Sequence, residues 1–224
     1  MTQHGHCTGE HRHCTGEHRH CTGEHRHRTG DYHRHAPTRR TLLAALGTGG
    51  VVALAGCLGD EEVPDPIGLD DDQACDQCEM VIDVHPGPVG LSYYLDDPPD
   101  VIPDDRENGA AYFCSSWCAY RFTLDWAEHD FEPVGTYLTD YSAVDYSLSE
   151  DAGTLVISAH LEVDALALAD DLTLVVDSDV EGAMGSSLIG FSDSDDAEAF
   201  AEEYGGDLLD HEDVTLEVIS AMGM

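Results

Sequence analysis

The 224-residue chain contains 46 acidic and 9 basic residues, and its formal net charge is −37 at pH 7. All nine basic residues are arginine, and only Arg106 and Arg121 follow residue 57. Because this part of the chain has almost no cations to offer phosphate, nucleic-acid binding is excluded. Hydrophobic residues make up 42% of the sequence, which argues against a disordered acidic tail. Such a charge favours a halophilic protein, since salt screens the repulsion between carboxylates.

Residues 1–38 form a low-complexity repeat rich in histidine, cysteine and arginine. The heptad Cys-Thr-Gly-Glu-His-Arg-His begins at Cys7 and recurs from Cys14 and Cys21, and ten of the fourteen histidines lie in this segment. Tracts of this kind can bind metals. Because this one precedes an export signal, we interpret it as an expanded repeat that is removed with the signal.

Residues 39–57 have the features of an export signal. Arg39 and Arg40 precede an apolar run that is too short to span a membrane, and small residues lead from it to Cys57. The arginine pair predicts export by the twin-arginine route. The Leu-Ala-Gly-Cys ending resembles the lipobox of secreted lipoproteins, which implies that a lipidated Cys57 anchors the protein to the outer face of the cell membrane. The alternative is a short buried hydrophobic helix.

An acidic, proline-bearing tether at residues 58–72 leads into about 150 residues, for which we predict an α+β fold of two small sheet-plus-helix modules. In the first module, residues 73–160, a helix is predicted to begin at Ser115 or Ser116, either of which can cap it, and to run to about Glu128. The predicted strands of this module are Val81–Val84, Val89–Leu95, Ala110–Phe113, Gly135–Tyr141 and Thr154–His160.

The second module, residues 161–224, is predicted to contain two strands, a helix and a closing strand. Asp195 and Glu198 form a capping-box-like start of the helix, apolar residues follow at helical spacing, and Gly205-Gly206 ends it. The predicted strands are Leu172–Val176, Ser187–Phe191 and Val214–Ile219.

Four cysteines stand in two pairs, Cys75-x-x-Cys78 and Cys114-x-x-x-Cys118. Sulfur ligands favour Cu(I) or zinc over calcium or magnesium, and two cysteine pairs can complete a four-coordinate site. Cys118 is predicted to lie in the first turn of a helix, where the positive end of the helix dipole favours the thiolate that binds metal. The two pairs therefore predict a metal site.

Other interpretations of these cysteines stay open. Two disulfides would suit an oxidising compartment, and the thiols could also be inert and buried. A zinc-ribbon-like structural site would leave out Met80, which on its spacing alone is a core residue. A thiol-disulfide oxidoreductase is weakened because the Cys-x-x-Cys does not open a helix within a βαβ pattern. Since no catalytic arrangement of residues stands out, we predict that the protein is not an enzyme.

The cysteines also belong to longer motifs. Cys75-x-x-Cys78-x-Met80 is followed by His85-Pro-Gly-Pro, and Gly-Ala-Met184-Gly precedes a predicted strand, a helix and a glycine pair. With the lipobox, this ordered set resembles the NosL family, the copper-binding lipoproteins that assist nitrous oxide reductase assembly. The resemblance implies two related modules, similar to the fold seen beside organomercurial lyases, that bind one Cu(I) and pass it to a copper enzyme.

The ligand candidates that the resemblance carries over by position are Cys75, Cys78, Met80, Met184 and, more weakly, His85. Two departures leave the ligand set open. Glu79 stands where the family usually has glycine, and residues 113–118 instead resemble the second cysteine pair of TRASH-type metal-sensing domains. Either Cu(I) uses both cysteine pairs, or zinc occupies them while copper is held elsewhere. Our hypothesis is that Met80 and Met184, one from each module, open and close one copper site.

Overall fold

The computed structural model describes residues 62–70 and 72–223. The predictions for the N-terminal repeat, for Arg39 and Arg40 and for the lipid anchor Cys57 lie outside the described residues. Within the described part of the chain, no helix is both long enough and apolar enough to cross a membrane. Three sheets and three α-helices form there, which confirms the predicted α+β class.

The strands are short and follow one another closely along the chain. In chain order they are β1 (Gly90–Tyr93), β2 (Ala110–Phe113), β3 (Gly135–Thr139), β4 (Leu148–Asp151), β5 (Thr154–Ile157), β6 (Leu166–Leu168), β7 (Thr173–Val176), β8 (Val180–Gly182), β9 (Gly185–Ser186), β10 (Ile189–Phe191) and β11 (Asp207–Asp210). The α-helices are α1 (Ser116–Ala127), α2 (Ser194–Tyr204) and α3 (Leu216–Ala221). Single 3-10 turns are formed by Ile82–Val84, Glu107–Gly109, Val163–Ala165, Ala169–Asp171 and His211–Asp213.

The strands assemble into three sheets. The first has the order β2-β1-β3-β6 and is antiparallel throughout. The second has the order β10-β7-β11 and is also antiparallel. The third has the order β4-β5-β8-β9, with β5 and β8 parallel. The sequence predicts a boundary between two modules at residue 160. The first and third sheets each contain strands from both sides of it, because β6, β8 and β9 come after residue 160.

Helix α1 packs its apolar face against the first sheet. The side-chain oxygen of Ser115 caps the helix by accepting a hydrogen bond from the Cys118 amide at 3.0 Å, as the sequence predicts. Phe122 is buried between Phe113 of β2 and Tyr94, with ring centroids 5.3 and 6.2 Å away. These aromatic contacts fix the helix against the end of β2.

Helix α2 covers the second sheet. Ala197 and Phe200 are buried, and the Phe200 ring meets that of Phe191 on β10 with a centroid separation of 5.2 Å. The side chain of Asp193 caps the helix by accepting a hydrogen bond from the Asp195 amide at 2.9 Å. The cap thus lies two residues before the predicted Asp195.

The predicted closing strand, Val214–Ile219, is wrong, because this segment enters helix α3. The Thr215 side chain caps α3 by accepting from the Val218 amide at 3.3 Å. The alternating apolar pattern favours a strand, but tertiary contacts override it. Ile219 is fully buried, and its carbonyl accepts a hydrogen bond from Trp117 Nε1 at 3.1 Å, which joins α3 to α1.

The predicted strand Val81–Val84 is also wrong for most of its length. Ile82–Val84 forms a 3-10 turn, and Val81 makes a single antiparallel bridge to Ala74. This bridge closes the turn that carries the first cysteine pair. Strands β4, β6, β8, β9 and β11 were not predicted. β4 and β11 are acidic and largely exposed, and β8 and β9 each contain a glycine, so these segments lack an apolar run.

Candidate metal centre

Four cysteine sulfurs converge beside the N-terminus of α1. Cys75 and Cys78 lie on the turn closed by the Ala74–Val81 bridge, Cys114 directly follows β2, and Cys118 lies in the first turn of α1. The four Sγ atoms all lie within 4.8 Å of one another. Cys78 is half-buried and the other three are buried. The fold thus unites two cysteine pairs that are about 35 residues apart in sequence.

The distances between these sulfurs suit a shared metal ion. Cys114 Sγ lies 3.5 Å from Cys78 Sγ and 3.8 Å from Cys118 Sγ. Four thiolates around zinc, each about 2.3 Å from the metal, would lie about 3.8 Å apart. The four cysteines are free thiols, so the two disulfides considered from the sequence are not formed in this structure.

Two hydrogen bonds fix the turn that carries Cys75 and Cys78. The Cys75 amide donates to the Met80 carbonyl, and the Glu79 amide donates to the Cys75 carbonyl, both at 2.8 Å. Glu79 has a φ of 64°, in the left-handed region that favours glycine. This conformation explains why glycine suits the position, and the glutamate found here still closes the turn.

Burial and neighbouring thiols shift the pKa values of the four cysteines in different directions. Hydrogen bonds from the Cys114 and Cys118 thiols lower the pKa of Cys75. Burial raises the pKa of Cys78, and the hydrogen bonds of Cys114 to Cys118 and Cys75 raise the pKa of Cys114. The bond with Cys114 lowers the pKa of Cys118, but Cys75 and burial outweigh it and the net direction is upward. A metal must therefore displace protons from most of the cluster.

Met80 and Met184 are partly buried and pack against the hydrophobic core that contains Cys75, Cys114 and Cys118. Met184 lies in the tight turn between β8 and β9. The segment that follows this turn contacts the N-terminus of α1, since the Leu188 amide donates to the Ser116 side chain at 2.9 Å. The structure thus brings four cysteine sulfurs into one cluster, and both methionines pack against the large hydrophobic core to which three of those cysteines belong.

The motif around His85 meets the motif around Met184. A Cβ on Gly182 would collide with the Gly87 carbonyl oxygen and with the Ser187 side chain, so glycine is required for this close approach. His85 itself ends the 3-10 turn and is not a member of the four-sulfur cluster. The two predicted motifs are therefore neighbours in space, although their histidine does not join the thiols.

Sequence reasoning missed a group of residues that contacts the cysteine turn. Asp76 pairs with Arg106 at 3.2 Å, and the Asp76 carboxylate also accepts a hydrogen bond from the Tyr112 amide at 2.7 Å. Burial raises the pKa of the Asp76 carboxyl, against the influence of Tyr112 and Arg106. Arginine is rare after residue 57, which could have drawn attention to Arg106. The sequence does not show, however, that Asp76 is its partner.

Fold and centre together define a small α+β protein with a thiol-rich site for a soft metal. The family model described as NosL matches residues 66–219, and the chain belongs to the NosL family. It is 29% identical over 177 residues to the copper-binding lipoprotein NosL of Stutzerimonas stutzeri, covering 78% of each chain. The crystal structure of the copper chaperone NosL from Shewanella denitrificans matches with a TM-score of 0.55 and 28% identity, over 69% of this chain and 98% of that one.

These relatives are a copper-binding lipoprotein and a copper chaperone. They confirm the family that the sequence motifs resemble and the prediction that the chain is not an enzyme. The rival interpretation as a thiol-disulfide oxidoreductase finds no support among them.

Proposed function

We propose that this protein is an exported lipoprotein that binds Cu(I) and delivers it to a copper enzyme, with nitrous oxide reductase as the recipient. The observation that carries the proposal is the convergence of four thiols within 4.8 Å in a member of the NosL family. Thiolates are soft ligands that suit Cu(I). Export by way of Arg39 and Arg40 and a lipid on Cys57 would hold the protein at the outer face of the membrane.

The burial of the four cysteines suggests how copper would leave. Cys75, Cys114 and Cys118 are buried, whereas Cys78 is half-buried and is the sulfur most accessible to an incoming ligand. A carrier must hold copper against loss and still release it to a partner that attacks the site. Ligand-by-ligand exchange beginning at Cys78 satisfies both needs, since the buried thiolates hold the ion until the partner supplies new ligands.

The direct test is transfer of copper between purified proteins. Protein taken from its native membrane should contain about one equivalent of copper, and Cu(I)-loaded protein should pass the ion to copper-free nitrous oxide reductase. A different apo copper enzyme serves as the control for the recipient. Copper that moves only to the control enzyme would contradict the proposed recipient, and protein without copper would contradict the carrier function.

We propose that the thioethers of Met80 and Met184 contribute to the copper site, with His85 as a weaker candidate. Both methionines pack, partly buried, against the hydrophobic core that includes Cys75, Cys114 and Cys118. Met80→Ala and Met184→Ala are each expected to weaken Cu(I) binding by about tenfold in competition with a Cu(I) chelator. Met222→Ala is the matched control. Met222 is also partly buried against this core, but it lies at the C-terminal end of α3 and is not a ligand candidate. Unchanged affinity in both variants would show that these thioethers are only core residues.

Copper affinity should rise with pH. The pKa values of Cys78, Cys114 and Cys118 are raised, so these thiols keep their protons near neutral pH and binding must release them. Lowering the pH adds protons that compete with the metal. For each proton that the metal displaces, the dissociation constant should therefore increase about tenfold for every pH unit by which the pH is lowered. Chelator competition between pH 6 and pH 8 measures the slope, and a flat profile would contradict proton displacement.

A structural zinc site is the second candidate, and the separations of Cys114 Sγ from two of the other sulfurs favour it. Distances of 3.5 and 3.8 Å from Cys114 Sγ to its neighbours fit zinc bound by four thiolates. In that case the cluster would be closed, and copper would be held elsewhere. The same metal analysis separates the two candidates, since stoichiometric zinc that persists beside copper would assign the cluster to zinc.

A further inference from the structure

Asp76, in the turn that carries Cys75 and Cys78, makes two hydrogen bonds to Tyr112 of β2. Its main-chain amide donates to the Tyr112 carbonyl at 2.8 Å, and its carboxylate accepts from the Tyr112 amide at 2.7 Å. Asp76 therefore satisfies both backbone groups of one β2 residue. Because it directly follows Cys75, and Cys114 lies two residues after Tyr112, this contact sets the separation of the two cysteine pairs.

Arg106 holds the Asp76 carboxylate in this position. Its two terminal nitrogens, Nη1 and Nη2, donate to the two oxygens of Asp76 at 3.2 and 3.3 Å. Nη1 also donates to the Ala110 carbonyl at 3.2 Å, and the guanidinium lies 4.1 Å above the centre of the Tyr112 ring. A planar guanidinium with several donors can make all of these contacts at once, whereas a lysine ammonium cannot.

This ion pair differs from the other one that an arginine makes in the described residues. The side chains of Arg106 and Asp76 are 17% and 10% exposed, whereas those of Arg121 and Asp125 on α1 are both 35% exposed. Salt screens a largely buried pair much less than an exposed one. One of only two arginines after residue 57 is thus placed where its charge stays effective in salt, next to the cysteine turn.

We infer that Asp76 and Arg106 are positioning residues for the metal centre, and that they hold the Cys75–Cys78 turn at metal-binding distance from Cys114. Metal–ligand distances tolerate deviations of only about 0.2 Å. If the turn moved relative to β2, the protein would therefore bind the metal less tightly. The inference rests on the proposed function, because it assumes that the cysteine cluster binds Cu(I). It assigns no contact with the metal to either residue.

The test compares variants with the same change of charge at the two ion pairs. Asp76→Asn and Arg106→Gln are expected to weaken Cu(I) binding by about 10- to 100-fold in chelator competition, the range found when residues that orient metal ligands are removed. Arg121→Gln and Asp125→Asn, at the exposed pair on α1, should bind Cu(I) as the wild type does. Arg106→Lys keeps the charge but loses the planar fork, so it should give a smaller loss than Arg106→Gln.

Two further readouts separate positioning from general stability. The sulfur-to-copper absorption of the loaded protein should change in Asp76→Asn and Arg106→Gln, and thermal unfolding of the copper-free proteins shows whether each variant is folded. Wild-type affinity in folded Asp76→Asn and Arg106→Gln would overturn the inference alone. If Arg106→Gln does not fold, wild-type affinity in Arg106→Lys would overturn it. Wild-type protein that binds no Cu(I) would overturn the proposed function as well.

Discussion

Replacing Cys114 with serine is expected to weaken Cu(I) binding by more than about 100-fold. Cys114 Sγ lies 3.5 Å from Cys78 Sγ and 3.8 Å from Cys118 Sγ, so it connects the two cysteine pairs. A serine hydroxyl is a hard, uncharged ligand that suits Cu(I) poorly. Loss of a ligand should exceed the 10- to 100-fold effect of residues that only orient ligands. Chelator competition at fixed pH and salt measures the loss.

Two other cysteine variants make this prediction specific. Cys57→Ser removes a thiol from outside the described residues and should leave Cu(I) affinity unchanged while it abolishes the proposed lipid anchoring. Cys78→Ser removes the half-buried sulfur and should weaken binding less than Cys114→Ser, with faster copper release. A Cys114→Ser protein that binds Cu(I) as tightly as the wild type would place the copper site away from the cluster. The methionine pair would then become the leading candidate.

The sequence was sufficient to predict the parts of the site that depend on local pattern. Strand Ala110–Phe113 was predicted, and so was a serine cap of α1, at Ser115 or Ser116, because a short apolar run and a capping residue are local signals. Those two elements place Cys114 and Cys118. The spacing of Cys75 and Cys78 likewise predicted a turn that presents two thiols together.

The parts that the sequence could not reveal depend on contacts between distant residues. The Asp76–Arg106 pair joins positions 30 residues apart, and among 46 acidic residues no pattern identifies the one that meets this arginine. Helix α3 was mistaken for a strand because apolar and polar residues alternate from Val214 to Val218. Its conformation is decided by the burial of Ile219 against Trp117, which belongs to a different helix.

The sequence also did not predict that strands of the second half pair with strands of the first half. β6 pairs with β3, and β8 pairs in parallel with β5, so elements of the second half complete sheets begun by the first. β6 and β8 have three residues each, and β8 ends in a glycine, so neither shows an alternation of apolar and polar side chains. The consequence for function is that the Met184 turn, which follows β8, is joined through that sheet to strands of the first half.

Phe122→Ala is expected to lower the free energy of unfolding of the copper-free protein by about 3–5 kcal/mol, a large part of the about 5–15 kcal/mol typical of a folded domain. Phe122 is 2% exposed, and its ring contacts those of Phe113, Tyr94 and Trp126 with centroid separations of 5.3, 6.2 and 6.0 Å. Removing it leaves a cavity between α1 and the first sheet. Denaturant unfolding at constant salt measures the change.

The same substitution connects stability to copper, because Phe122 lies one helical turn after Cys118. A ligand that binds only the folded state stabilises it by mass action, so excess Cu(I) should restore part of the lost stability of Phe122→Ala. Val84→Ala is the control: Val84 is 68% exposed, and the change should stay within about 0.5 kcal/mol. If Phe122→Ala costs no more than this control, the aromatic cluster does not hold α1. If copper gives no rescue while wild-type protein is stabilised, the cavity has displaced Cys118 from the metal centre.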